Sequence, residues 1–105
     1  MAQFDVYQNP SNTSRKHYPY LLDIQSPYIS EIATRIVIPL GLASSFGNEA
    51  MNILTPEIQY EGEDLLLLTP QVSSVPAKIL TAPVGSLSHF REQIIHAIDF
   101  AITGI

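Results

Sequence analysis

The sequence contains no cysteine and no tryptophan, and only five of its 105 residues are Lys or Arg. Without cysteine, the chain cannot form a disulfide or a thiolate-based metal or redox site. The cations stand at positions 15, 16, 35, 78 and 91, so only two of them are adjacent. Phosphate backbones are bound by clustered cations, and the net charge here is −5. We therefore expect no direct nucleic-acid binding and favour a protein partner.

Long apolar runs are also missing. No segment approaches 18 uninterrupted apolar residues, so none is expected to span a membrane. The first five residues lack the basic-then-apolar pattern of a secretory signal, which favours a cytoplasmic location. Hydrophobic residues nevertheless make up 46% of the chain, enough for a packed core. The length predicts a single domain over residues 1–105.

Most of the chain has the patterns of short β-strands. Alternation with period 2, or runs of β-branched residues, predicts strands at residues 3–7, 18–25, 34–40, 53–60, 64–69 and 75–80. A polar loop is expected at 9–16, and a loop with one helical turn at 41–48. Pro39 lacks an N–H and predicts a sheet edge or a bulge, whereas Gly62 predicts a hairpin turn. Strands this short and close predict a small barrel or a strongly bent sheet.

The final segment changes period and predicts one C-terminal α-helix. Apolar residues at 87, 90, 94, 98, 101 and 105 follow helical spacing, with Ser86 or Ser88 as the expected N-cap. Four residues form what we call the polar stripe on the opposite side of the helix: Glu92, His96, Asp99 and Thr103. Gly104 followed by Ile105 is typical of a left-handed helix end, which explains this ending without a function. The alternative is that Ile105, beside the polar stripe, forms a recognition tip.

The three histidines do not predict a metal site. A zinc site needs three or four convergent ligands, usually with a pair spaced i, i+4. His89 and His96 are seven residues apart, and His17 lies far from both in the sequence, directly after the polar loop at 9–16. We expect solvated histidines, no metal and no cofactor.

Signals for catalysis are equally weak. The sequence has no G-x-S-x-G motif and no Gly-rich phosphate loop. His17, Asp23, Glu31 and Arg35 could converge and cleave RNA by acid–base chemistry. Their spacing does not demand this, and the acidic balance opposes RNA affinity. No catalytic residue is therefore predicted.

Seven short segments recur in the same order in one known family. They are QFDVY at 3–7, DIQS at 23–26, RIVIPL at 35–40, SVP at 74–76, LSH at 87–89, AI at 97–98 and the terminal GI. Together they span nearly the whole chain in register, and in this the sequence resembles the CcdB toxins. The resemblance implies a mainly β protein with one C-terminal α-helix, an SH3-like barrel of the CcdB and MazF/Kid type, in a homodimer.

The same resemblance implies a function. CcdB proteins are noncatalytic toxins of type II toxin–antitoxin modules in the bacterial cytoplasm. They poison DNA gyrase by binding its A subunit and trapping the cleavage complex. A CcdA-type antitoxin neutralises the toxin and joins it in an operator-binding repressor, whose DNA contacts come from the antitoxin. A MazF/Kid-like endoribonuclease and an inactive CcdB relative remain the alternatives.

Family positions for gyrase binding lie in the helix end and in one loop. Carried over by position, they are Tyr28, Ile29, Asp99, Thr103, Gly104 and Ile105. Asp99 and Thr103 also belong to the polar stripe, so both arguments indicate the same helix face. The best-known member has Trp at the position of Thr103 and Asn at that of Asp99. An aromatic anchor is commonly worth about 2 kcal/mol in an interface, and Tyr28 is the residue expected to compensate.

Overall fold

The computed structural model describes residues 2–29, 32–46 and 53–104, and this part of the chain contains seven strands and two α-helices. The strands are β1 (Asp5–Gln8), β2 (Tyr20–Asp23), β3 (Thr34–Leu42), β4 (Glu57–Tyr60), β5 (Glu63–Leu67), β6 (Ser73–Pro76) and β7 (Gly85–Ser86). The helices are α1 (Ala43–Phe46) and α2 (Arg91–Thr103). Short 3₁₀ turns occupy Pro27–Ile29, Thr69–Gln71, Ala77–Ile79 and Ser88–Phe90.

All the strands join one antiparallel sheet in the order β4-β5-β3-β2-β1-β7, with β6 also paired to β3. The long strand β3 pairs along its first half with β6 and along its second half with β5. This change of partner lets the sheet curl into a half-barrel. The predicted fold class, mainly β with one C-terminal helix and a barrel-like sheet, is confirmed.

Pro39 lies inside the sheet, so the expectation of a sheet edge or a bulge was wrong. It faces Leu21 of β2 in an unbroken antiparallel register. Its carbonyl oxygen accepts from the Leu68 N–H at 3.0 Å, on the side away from β2. In an antiparallel strand, the backbone N and O of one residue point to the same neighbouring strand. The nitrogen of Pro39 therefore faces the place where β3 changes partner from β6 to β5. A residue without an N–H is tolerated there because no ladder bond is lost.

Both faces of the curled sheet carry buried residues. The concave face holds the main core, to which α2 contributes Ile94 and Ala97. Other buried members of this core are Phe4, Val6, Leu22, Ile38, Leu40, Ile58, Leu65, Leu67 and Leu87. A smaller cluster of Tyr7, Val37 and Leu80 lies on the opposite face. Alternate residues of β1 and β3 therefore enter different cores, as period-2 geometry requires.

The hairpin of β4 and β5 confirms the prediction made from Gly62. Tyr60 pairs with Glu63, which leaves a two-residue connection of Glu61 and Gly62. Both residues have positive φ, 52° and 78°. Positive φ at both central positions is the type I′ turn that fits the twist of a hairpin. Leu65 to Leu68 are all buried, as expected for a strand covered on both faces.

Other boundaries differ from the predictions. The strand expected at 75–80 ends at Pro76 and passes into a 3₁₀ turn, whereas β7 was not predicted. The expected loop at 41–48 begins with the end of β3, and α1 is its helical turn; residues 47–48 lie outside the described part. Neither serine is the N-cap of α2: Ser86 Oγ instead accepts from the Ser88 N–H at 3.2 Å. Within the described ranges, no helix is long and apolar enough to cross a bilayer.

Candidate functional site

The second half of α2 projects beyond the core. Its buried residues are Ile94 and Ala97, both in the first half of the helix. Ala101 was expected on the core face but is exposed, and Ile102 is 73% exposed. The periodicity correctly predicted an apolar face. It could not predict that the sheet does not extend beneath the last turn.

The polar stripe faces solvent along the whole helix. Glu92, His96, Asp99 and Thr103 are all exposed, as the spacing predicted. The Thr103 hydroxyl donates to the Asp99 carbonyl oxygen at 2.6 Å, one turn back along the helix. This bond uses the hydroxyl proton inside the helix, so Thr103 presents mainly its methyl group to a partner.

The helix ends in the left-handed conformation predicted for Gly104. This glycine has φ 77° and ψ 17°, and its N–H donates to the Phe100 carbonyl oxygen at 3.0 Å. A side chain at positive φ is strained, which is why glycine is favoured at this position. Gly104 is exposed, and Ile105 lies outside the described residues.

The loop positions Tyr28 and Ile29 lie in the 3₁₀ turn Pro27–Ile29 that follows β2. Tyr28 is 95% exposed and Ile29 is 46% exposed. The backbone N–H of Tyr28 donates to Ser26 Oγ, and that of Ile29 to the Ser26 carbonyl oxygen, both at 3.2 Å. The turn therefore presents an aromatic ring to solvent from a hydrogen-bonded backbone.

A buried polar group lies directly behind this turn, and sequence reasoning missed its importance. Gln25 is only 1% exposed. Its Nε2 donates to the Ile29 carbonyl oxygen, and its Oε1 accepts from the Ile36 N–H at 3.1 Å. Alternation over residues 18–25 places Asp23 and Gln25 on the side of the strand opposite Leu22 and Ile24. The smaller core covers that side, and no local signal in the sequence indicates it.

Asp23 and Arg35 form a buried ion pair rather than an open catalytic site. Arg35 Nη2 lies 2.6 Å from Asp23 Oδ2, and the two side chains are 2% and 0% exposed. Arg35 Nε also donates to the same oxygen at 2.8 Å. Burial raises the pKa of Asp23 above its ordinary value of 3.8, while the Gln25 N–H and Arg35 act in the opposite direction.

His17 lies far from this pair. Its carbonyl oxygen accepts from the N–H of Leu42, and its ring hydrogen-bonds to Ser45 Oγ at 3.2 Å. Leu42 is seven residues along β3 from Arg35, about 23 Å in an extended strand. The four residues considered for RNA cleavage therefore do not converge as a set, and Glu31 lies outside the described residues. Over the described ranges, no group of three potential metal ligands is found.

Comparison with known protein families gives a match over nearly the whole chain. A family model described as CcdB protein matches residues 3–104, which is nearly the entire chain. The match includes β2, the Tyr28 turn, all of α2 and Gly104. The chain therefore belongs to the CcdB family, and this membership supports a toxin–antitoxin role of the gyrase-poison kind.

Proposed function

We propose that this protein is a noncatalytic toxin that binds the A subunit of DNA gyrase and traps the enzyme's cleavage complex. The observation that carries the proposal is the projecting, exposed end of α2 in a chain of the CcdB family. Asp99, Thr103 and Gly104 lie on this end, and Ile105 is assigned to the contact by its position alone. The Tyr28 turn forms the second part of the contact.

The two parts contribute different chemistry. Tyr28 offers almost its whole ring, and tyrosine is among the residues that most often dominate protein interfaces. Thr103 offers a methyl group, because its hydroxyl is bonded to Asp99. We therefore assign the aromatic anchor of the contact to Tyr28 rather than to the helix end.

Asp99 sets a requirement on the target. An exposed carboxylate that enters an interface needs a cationic partner or continued solvation. Glu92, on the same stripe, adds a second negative charge. The proposal therefore includes a Lys or Arg on gyrase A opposite Asp99.

The other proposed partners, which are a second protomer and an antitoxin, follow from membership of the CcdB family. The protein acts in the bacterial cytoplasm as a homodimer and is neutralised by a CcdA-type antitoxin, which supplies the operator DNA contacts. The positions of its few cations support indirect DNA binding. Arg35 is buried against Asp23, and Arg15 Nε donates to the Asn9 carbonyl oxygen at 2.8 Å. Neither forms part of a basic face of the kind that binds phosphates.

Expression in two matched hosts tests the target and the class together. One host carries wild-type gyrase, and the other carries a gyrase A subunit altered in the region that the toxin binds. We expect growth arrest only in the first host, and rescue by a CcdA-type antitoxin. Equal arrest in both hosts, with RNA cleavage by the purified protein, would instead indicate an endoribonuclease. Soluble, folded protein without arrest in either host would indicate an inactive relative.

A further inference from the structure

We propose that Gln25 is a positioning residue: its buried side chain fixes the Tyr28–Ile29 turn in the geometry that the target recognises. The inference rests on the proposed gyrase contact and adds a residue that does not itself touch the target. Gln25 is 1% exposed, whereas Tyr28 beside it is 95% exposed. The two residues therefore have separate roles, one beneath the surface and one upon it.

The Gln25 amide bridges the turn and the sheet. Its Nε2 donates to the carbonyl oxygen of Ile29, which is the last residue of the turn. Its Oε1 accepts from the Ile36 N–H at 3.1 Å, on strand β3. One amide group thus donates to the turn and accepts from the sheet. Glutamine and asparagine are the side chains that offer a neutral amide of this kind, and glutamine has the longer reach.

The backbone of Gln25 is also hydrogen-bonded, to an aspartate that is itself paired with an arginine. The Gln25 N–H donates to Asp23 Oδ1 at 3.0 Å. The other oxygen of Asp23 binds Arg35, which lies one residue before Ile36 on β3. A buried polar chain therefore runs from β3 through Asp23 and Gln25 to the turn. Such a network is rigid when its members are satisfied, because each broken bond leaves a desolvated polar group.

A fixed turn matters because ordering a loop at the moment of binding reduces affinity. The hydrogen bonds inside the turn are local, because the N–H groups of Tyr28 and Ile29 both donate to Ser26. They define its local shape but do not attach it to the sheet. The bond from Gln25 attaches the turn to the buried network, so its loss should let the turn open more often and expose the Ile29 N–H to solvent exchange.

The main test is Gln25→Met, which keeps the length of the side chain and removes both amide bonds. Purified gyrase A subunit is the probe for binding, and amide hydrogen exchange at Ile29 reports on the turn. We expect exchange at Ile29 to accelerate by about tenfold or more and the affinity for gyrase A to fall by roughly tenfold. The matched control is Ile58→Val, a buried core change on β4, which should lower stability but leave both readouts as in the wild type.

A double-mutant cycle with Tyr28→Ala separates positioning from general destabilisation. If Gln25 acts through the turn, Gln25→Met should have little further effect on affinity once Tyr28 has been removed. An undiminished tenfold effect in the Tyr28→Ala background would overturn the inference. So would unchanged exchange at Ile29 in folded Gln25→Met protein.

A second variant covers the case in which Gln25→Met does not fold. Gln25→Glu at pH 8 keeps an acceptor for the Ile36 N–H but, when ionised, has no donor for the Ile29 carbonyl oxygen. The same faster exchange at Ile29 is expected, and wild-type exchange would contradict the inference. Wild-type protein that fails to bind gyrase A would refute the proposed function, while the exchange experiments would still decide the role of Gln25.

Discussion

The hydroxyl of Tyr7 is fully buried and has no hydrogen-bond partner in the described part of the chain. Tyr7 belongs to the smaller core, near the Asp23–Arg35 pair. Burial, followed by the negative charges of Asp5 and Asp23, raises its pKa above the ordinary value of 10.0, and Arg35 opposes this shift. An unpaired buried hydroxyl lowers the stability of the fold because its bond to water is lost on folding.

Tyr7→Phe should therefore stabilise the protein by about 1 kcal/mol in chemical unfolding at pH 7, because it removes the unpaired group and keeps the ring. The pH dependence has a definite sign. A pKa that is raised in the folded state gives stability that is present below pH 10 and lost as the pH rises through the raised pKa. Since Phe does not ionise, the advantage of the variant should grow above pH 10.

The matched control is Tyr28→Phe, which removes the hydroxyl of an almost fully exposed ring. Its unfolding free energy should equal that of the wild type at pH 7. A destabilised Tyr7→Phe protein would mean that the Tyr7 hydroxyl has a favourable partner, contrary to the structure.

Tyr28 allows the corresponding prediction for binding. Tyr28→Ala should weaken the affinity for gyrase A by about thirtyfold, equivalent to ~2 kcal/mol, because it removes the aromatic anchor. Its thermal unfolding should be unchanged, since the ring packs against little of the protein. Titration calorimetry against gyrase A measures the first quantity. An unchanged affinity would show that Tyr28 does not supply the aromatic anchor that the helix end lacks at Thr103.

Among the elements, two glycines form a matched pair that separates helix-end function from backbone strain. Gly104 ends α2 at φ 77°, and Gly62 turns the β4–β5 hairpin at φ 78°. Among the residues that the structure describes, no heavy atom lies within 4 Å of a Cβ added at either glycine. The backbone conformation alone therefore opposes a side chain at both sites.

Gly104→Ala and Gly62→Ala should each lower the free energy of unfolding by about 1 kcal/mol. Only Gly104→Ala should also reduce gyrase binding and growth arrest, because Gly104 itself belongs to the proposed contact and Gly62 does not. Urea unfolding and plating of induced cells provide the two measurements. Equal loss of toxicity in both variants would mean that stability, rather than the helix end, limits function.

The elements also show how far local sequence signals reach. The β4–β5 hairpin and α2 were predicted because Gly62 and the 3.6-residue period are local. The two-residue strand β7 was missed because its pairing with β1 joins Gly85 to Val6, far apart in the chain. The strand expected at 75–80 stops early because β6 has β3 as its partner only as far as the pair Thr34–Pro76. Such long-range pairings have no signature in a short window.

At the scale of the whole molecule, the apolar part of the helix end remains uncovered in the protomer. Ile102 is 73% exposed and Ala101 beside it is also exposed. In the proposed homodimer, we expect Ala101 to lie near the two-fold axis. Its exposure indicates that a polar replacement there leaves the protomer fold intact.

Ala101→Glu should therefore retain the circular dichroism spectrum of the wild type but sediment as a monomer, because two carboxylates would meet at the axis. Thr103→Glu, on the polar stripe of the same helix, is the control and should sediment like the wild type. A dimer that persists unchanged in Ala101→Glu would place the subunit interface elsewhere.

The candidate site as a whole was only partly predictable. The exposed polar stripe and the left-handed Gly104 followed from spacing and residue type. Tyr28 and Ile29 came only through the resemblance to CcdB toxins, since an exposed turn has no periodicity. Gln25 was missed because its role depends on Ile36 and on the smaller core, which come together only in the folded sheet.

The most direct measurement of the central claim is plasmid cleavage by gyrase in the presence of the purified protein. Supercoiled plasmid, gyrase and ATP are incubated with the protein, and gyrase is then denatured and digested before electrophoresis. We predict linear plasmid that requires both gyrase and the protein, and that disappears when Ile105 is deleted. Plasmid that stays uncut in the presence of folded protein would contradict the account, as would full linearisation by the variant that lacks Ile105.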